Sequence, residues 1–300
     1  MPWQRRPVQR LHLNRKASIM EFVTDAARGQ LAMPAIPRIV RRLVTQLKDP
    51  SASLSRIVTE LEQDPLLTAR VLQLANSPFY SGRRSLSSVT DAVAVLGVDA
   101  LQRLVMTVGL AAVFVEVPGV DLRQFWLDAS VTATAARRIC AMSEMARDDT
   151  EAAYLAGLLH ASGHLILCVA FPEEAVAAFE ARRSAGVLRG AALAAAELEA
   201  FGMVYPAVGA AWVEKMGFPR CVEHAIAHHL DPHGASAGAL SSVIHLAVQV
   251  AASVGVGDSS EEAFAKIDVA LMQAACVDPQ VLEQHLHTNY GDLATLPGPM

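Results

Sequence analysis

Ten histidines in a chain of 300 residues raise acid–base or metal chemistry as the first possibility. His224 and His228 stand four apart on one predicted helix, with His229 adjacent. Residues at that interval share a helix face, so two imidazoles there could hold one metal ion. His160 and His164 repeat the interval around Gly163, where the helix is expected to break. A hydrolytic centre would also need carboxylates to bridge hard cations and orient the imidazoles. Glu223 and Asp231 are the nearest in sequence, and neither histidine spacing matches H-E-x-x-H. The competing role is structural: imidazoles that cap or satisfy helix ends, where a C-terminal positive charge is favoured.

Other chemistries find less support. The chain has no G-x-G-x-x-G, Walker A or G-x-S-x-G segment, so neither a phosphate cradle nor a nucleophile elbow is indicated. Cys140, Cys168, Cys221 and Cys276 are widely spaced without a C-x-x-C pair, which excludes a disulfide framework or zinc ribbon and fits reduced thiols in the cytoplasm. The first twenty residues mix arginines with isolated apolar residues and carry no uninterrupted apolar run, so no secretion signal is read. Two helices around Gly97, spanning Val89–Val105, superficially suggest a helix-turn-helix. Their second helix, Asp99-Ala-Leu-Gln-Arg-Leu-Val-Met, has one basic residue, and phosphate neutralisation needs several. The balance of 25 Lys+Arg against 30 Asp+Glu, a net charge of -5, argues against nucleic acid as a partner.

The elements that must position these residues are helical throughout. The chain is 52% hydrophobic but only 5% aromatic, and its 52 alanines fill the gap. Alanine is the best helix former, while strands favour aromatic and β-branched residues. Apolar stretches at Ala152–Pro172 and Pro232–Gly257 are interrupted by histidines, glycines and serines, so they are expected to be buried helices rather than membrane spans.

Residues 1–30 form a basic lead-in, loosely ordered or with a short helix at Ser18–Arg28. A first helical part covers 31–116, with Ser53 and Asp64-Pro65 as helix starts and Phe79 to Ser88 as an exposed loop. Helices are predicted at Val89–Leu96 and Asp99–Val115, and Val117-Pro-Gly-Val120 then breaks the pattern. A second part covers 120–232, with helices at Asp149–His160, Ala191–Phe201, Pro206–Met216 and Pro219–Leu230. A helical extension over 233–290 includes Pro279–His287, and 291–300 forms a tail.

Several segments together resemble the HDOD domain, the HD-related output domain. They are Met33-Pro-Ala-Ile-Pro37, Asp64-Pro65, Leu72-Gln-Leu-Ala-Asn-Ser-Pro-Phe-Tyr80 and Ser88-Val-Thr-Asp-Ala-Val-Ala-Val-Leu-Gly97. The resemblance continues through Ala156-Gly-Leu-Leu-His160 and Gly217-Phe-Pro219 to His228-His229-Leu-Asp-Pro232, covering about Leu31 to Pro232. It implies an all-α, two-part architecture: an N-terminal helical subdomain and a degenerate subdomain similar to HD-superfamily metallophosphohydrolases. It also implies a bacterial signalling module without catalysis.

The departures from an active HD enzyme support that implication. The His-Asp dyad reads His160-Ala161, and alanine cannot coordinate a metal. The position where such families often place a histidine reads Gly202-Met-Val-Tyr205. The preceding helix has no early histidine, and Asp128 is its nearest polar candidate. His160, Ala161, Tyr205, His228 and His229 are therefore read as vestigial positions, with no metal and no cofactor expected. The expected function is regulation through protein–protein contact with signalling proteins acting in trans, such as receiver, GGDEF or EAL proteins. Asn76, Ser77, Phe79, Tyr80, Arg83 and Arg84 are the candidate contact residues, because a loop held by helices is a common recognition element.

Overall fold

The computed structural model describes residues 35–46, 58–59, 61–81, 86–146, 149–180 and 188–299. The lead-in over 1–30, the cap at Ser53 and the Arg83-Arg84 pair lie outside the described residues. Every regular element among the described residues is helical. The all-α expectation is met, and its physical basis is visible in the capping chemistry and the apolar stripes.

Helix α1 (Arg38–Gln46) buries Ile39, Val40 and Leu43. Helix α2 (Pro65–Ala75) starts where Asp64 accepts the Leu67 N–H at 3.0 Å and Pro65 supplies a preset φ. Pro78–Ser81 forms the single turn α3. Helix α4 (Val89–Leu96) opens on a reciprocal capping box between Ser88 and Asp91. Gly97, at φ +84°, ends α4 and admits α5 (Val98–Ala111). Helices α1, α2 and α4 pack on α5. The expected extension of α5 to Val115 fails, because the chain turns after Ala111 and buries Phe114 against Trp126 and Trp212.

Asp121 caps α6 (Leu122–Met142), the longest helix described. It lies along α7 (Asp149–Leu159), and the two approach closely because Gly157 faces the Ala133 backbone. A break at His160-Ala161 leads into α8 (Ser162–Ala170). The break thus falls before Gly163, which sits inside α8. Its lack of a side chain is a packing requirement: a Cβ there would collide with the backbone carbonyl of Tyr205. Helix α9 (Pro172–Ala175) runs on into a π-helical turn, Val176–Glu180.

Helices α10 (Gly190–Phe201), α11 (Tyr205–Lys215) and α12 (Arg220–His228) follow, with Gly202 in the left-handed region as the stop of α10. Helix α13 (Ala239–Val256) crosses α6 and α7 through the interior. The chain closes with α14 (Ser260–Ala265), α15 (Val269–Ala274) and α16 (Pro279–Ala294). The last runs beyond the expected end at His287 because Tyr290 and Leu293 continue its buried face.

One continuous apolar core links all these helices. The α7–α8 stretch and α13 are each long and apolar enough to cross a membrane. In the fold, nearly all of the first and just over half of the second are buried against other helices.

Between α5 and the second group of helices the polar fastenings are specific. Thr107 Oγ1 and the Tyr154 hydroxyl lie 2.7 Å apart in a buried setting. Arg103 reaches Glu151 at 2.8 Å while lying over the Tyr154 ring.

Candidate functional site

The His160-Ala161 pair lies at the break between α7 and α8, on the wall of a cavity of about 330 Å³. Helices α6, α8, α10, α11 and α13 contribute its lining, chiefly through Phe125, Ala129, Leu193, Val248 and Ala251. Ala161 lines it too, so a methyl group occupies the place where a dyad aspartate would present a carboxylate.

Each buried imidazole has a definable proton. His160 Nδ1 is 2.7 Å from the Gly157 carbonyl, which can only accept, so Nδ1 carries the hydrogen. His229 Nδ1 faces the Ile226 carbonyl at 2.8 Å in the same way, leaving Nε2 to accept from the Tyr205 hydroxyl at 3.0 Å. The two rings meet edge to face with centroids 5.6 Å apart. Burial lowers both imidazoles below the ordinary histidine value, that of His229 to about 3, so both are neutral at neutral pH. Burial also pushes the Tyr205 phenol well up, which keeps it a hydrogen-bond donor.

A second buried set lies beside the first. Glu197, fully enclosed, accepts from His164 Nδ1 at 2.8 Å through Oε1 and from the Tyr205 backbone N–H at 2.7 Å through Oε2. Burial raises the Glu197 carboxyl, while the His164 contact and the Tyr205 N–H act the other way. Sequence reasoning overlooked this residue, yet a signal exists: Leu193, Ala196 and Glu197 follow the i, i+3, i+4 pattern of one buried face. At the cavity edge Asp128 pairs with Arg189 at 2.7 Å and accepts from Gln124 Nε2 at 2.9 Å. Arg189 also escaped sequence reasoning, since nothing in its local pattern marks it.

These residues do not fit the dinuclear metal of an active HD site. Of the positions involved, Ala161 has no donor atom, His229 Nε2 already accepts from Tyr205, and Asp128 is engaged by Arg189 and Gln124. Among the described residues no group of three His, Cys, Asp or Glu side chains is placed to hold a metal ion. The other histidine pair lies apart: His224 is exposed and His228 half-buried on α12, with ring centroids 4.6 Å apart. Only His229 of that cluster joins His160.

The candidate contact residues of the first part are less open than a loop reading suggests. The Asn76 side chain spans the segment after α2: its Oδ1 accepts the Leu86 N–H at 2.7 Å, and its Nδ2 donates to the Leu86 carbonyl at 2.8 Å. This clasp ties Leu86 to the end of α2 while Asn76 itself stays exposed. Phe79 and Tyr80 belong to the turn α3, pack edge to face at 4.8 Å and rest partly buried on the core. Burial raises the Tyr80 phenol, and Tyr154, Arg103 and Arg137 are near enough to act on it electrostatically. The expected exposed loop from Phe79 to Ser88 is thus replaced at its start by a packed turn and near its end by the buried Leu86. Ser77 is half-buried between the two.

Fold and site together define an HD-related all-helical module. Structures similar to it include an HDOD domain protein of unknown function from Geobacter sulfurreducens, with TM-score 0.74 and 22% identity over 93% of this chain and 96% of that one. Another, from Shewanella amazonensis and described as a candidate phosphohydrolase, gives TM-score 0.72 and 22% identity over 93% and 97% of the respective chains. A candidate signal transduction protein from Marinobacter aquaeolei gives TM-score 0.70 and 23% identity, covering 94% of this chain and 65% of that one. At these identities the likeness concerns the fold. An uncharacterised Treponema pallidum protein is 27% identical over 159 residues, which are 52% of this chain but only 29% of that protein's length. The HDOD domain profile matches residues 33–232, and the chain belongs to the HDOD domain family.

Proposed function

We propose that this HD-related module is non-catalytic and regulates other proteins by direct contact. The observation that carries the reading is the state of the dyad position. Ala161 supplies no bridging carboxylate, and the neighbouring His229 spends its free nitrogen on Tyr205. Two-metal phosphoester chemistry needs cations held at fixed separation by several anionic and imidazole ligands, and these side chains are committed elsewhere. What remains is a rigid helical scaffold whose outer surface is free to engage partners. Cytoplasmic signalling proteins supplying input in trans, with receiver, GGDEF or EAL domains, suit such a module. The surface around Asn76, Ser77, Phe79 and Tyr80 is the proposed contact region, extending to Arg83 and Arg84. The net charge of -5 argues against nucleic acid as the partner.

The test is metal analysis and phosphoester hydrolysis on protein purified without added metal. Substoichiometric iron, manganese and zinc, with no hydrolysis after each is added back, is the expected result. Stoichiometric metal that is lost in His160→Ala, accompanied by hydrolysis, would overturn the reading in favour of an atypical phosphohydrolase. For the contact region, affinity capture from native cytoplasm should lose its partner in an Arg83→Ala/Arg84→Ala variant, which leaves the core-packed Phe79 and Tyr80 in place.

A further inference from the structure

Removal of the dyad carboxylate leaves a space as well as an absence. The cavity beside Ala161 has about 330 Å³, within the range of small-molecule sites, and most of its wall is apolar: Phe125, Phe179, Leu193, Val248 and Ala251. Its charged groups are accounted for. Asp128 and Arg189 neutralise each other at 2.7 Å, and Asp121, which caps α6 through the Gln124 N–H, is exposed to solvent at the rim. His164 is held by Glu197. One group is different. His160 is only 8% exposed, its Nδ1–H is fixed on Gly157, and its Nε2 has no hydrogen-bond partner among the described residues.

We propose that this cavity binds an uncharged, mainly apolar small molecule that donates one hydrogen bond to His160 Nε2. The class follows from the wall. Among the described residues a charged ligand would find no uncompensated counter-charge within the wall, and a wholly apolar one would leave the buried imidazole acceptor unpaired, which costs free energy. A phenolic or alcoholic hydroxyl, or a ring N–H, on an apolar body satisfies both demands. Burial keeps His160 neutral, so Nε2 retains the lone pair this bond requires. Because α6, α8, α10, α11 and α13 all line the space, occupancy would tie five helices together. It would thereby give the proposed regulatory module a chemical input. The inference rests on the metal-free reading of the site, since a metal ion on His160 would take the same lone pair.

The probe pair is 4-methylphenol and toluene, alike in shape and differing in the hydroxyl. Full-length protein labelled with ¹⁵N-histidine, in chelator, is titrated with each while the His160 Nε2 resonance, assigned by its loss in His160→Gln, is followed. The expected result is a saturable shift of that resonance by 4-methylphenol, with toluene binding about five- to tenfold more weakly, the worth of one net hydrogen bond. Ala251→Leu, which pushes a larger side chain into the cavity, should weaken 4-methylphenol at least about tenfold. Should that variant fail to fold, the hydroxyl comparison on wild-type protein decides alone. Equal binding of both probes, or no shift of Nε2 up to their solubility limits, overturns the inference. Repeating the experiment with Mn²⁺ in place of chelator separates the two readings. Selective broadening of Nε2 by Mn²⁺ overturns the metal-free reading and this inference together. A resonance indifferent to both metal and probe overturns this inference alone.

Discussion

His224 and His228 stand on the outer side of α12 with ring centroids 4.6 Å apart, whereas His229, the very next residue, is fully enclosed and meets His160 from another helix at 5.6 Å. The outer pair owes its proximity to the helical repeat, which brings any i, i+4 residues together whatever they do. The inner pair is brought together by tertiary packing, and there each Nδ1 is committed to a carbonyl while Tyr205 serves one Nε2. A polar group in water costs nothing to leave unpaired, but a buried one does. Partner choice is therefore informative only for the inner pair.

That contrast can be broken most forcefully at Gly163. A methyl group there meets the Tyr205 carbonyl, so Gly163→Ala must push α8 away from α11 and disturb the Tyr205–His229 contact. The expected cost is about 3 kcal/mol in urea denaturation, the upper range for overpacking. A loss below about 0.5 kcal/mol would mean the helices part easily.

The next effect is on acid stability. His229 has a folded-state value of about 3, below the ordinary histidine value from which it starts in the unfolded chain. The unfolded state therefore binds the extra proton first, and stability present at neutral pH is lost as pH falls through roughly 6.5 toward the folded value. Between about pH 6 and 4 wild type should lose stability more steeply than His229→Gln, by up to about 1.4 kcal/mol per pH unit. Parallel slopes would show that His229 is not held neutral. The smallest effect belongs to the outer pair: His224→Ala and His228→Ala should each change stability by less than about 0.5 kcal/mol, as surface substitutions do.

Much of the architecture was legible in the chain. The helix starts at Asp64-Pro65 and Val89 and the stop at Gly202 follow from local chemistry, and the structure uses them as expected. That residue 161 is an alanine rather than a carboxylate is read directly from the sequence. What escaped depends on tertiary contact. Gly163 reads as a helix breaker until the Tyr205 backbone is seen against it. Phe79 and Tyr80 read as exposed because turn residues surround them, yet the core lies beneath. Glu197 looks like one more surface charge on an alanine-rich helix until its buried face is counted, and Arg189 meets Asp128 only across 61 residues of chain.

The contact between α6 and α7 has a further consequence, for sequence change over long times. Ala133 and Gly157 touch almost backbone to backbone. Glycine has no side chain left to shed and alanine only a methyl group, so truncation cannot open a sizeable cavity there. Nearly every substitution open to these two positions enlarges the side chain and drives the helices apart. The alphabet tolerated at this crossing is limited by volume rather than by hydrophobicity, and a soft residue such as methionine is excluded as firmly as a charged one. A chain under such a limit can drift freely on its surface while the angle between these two helices stays fixed.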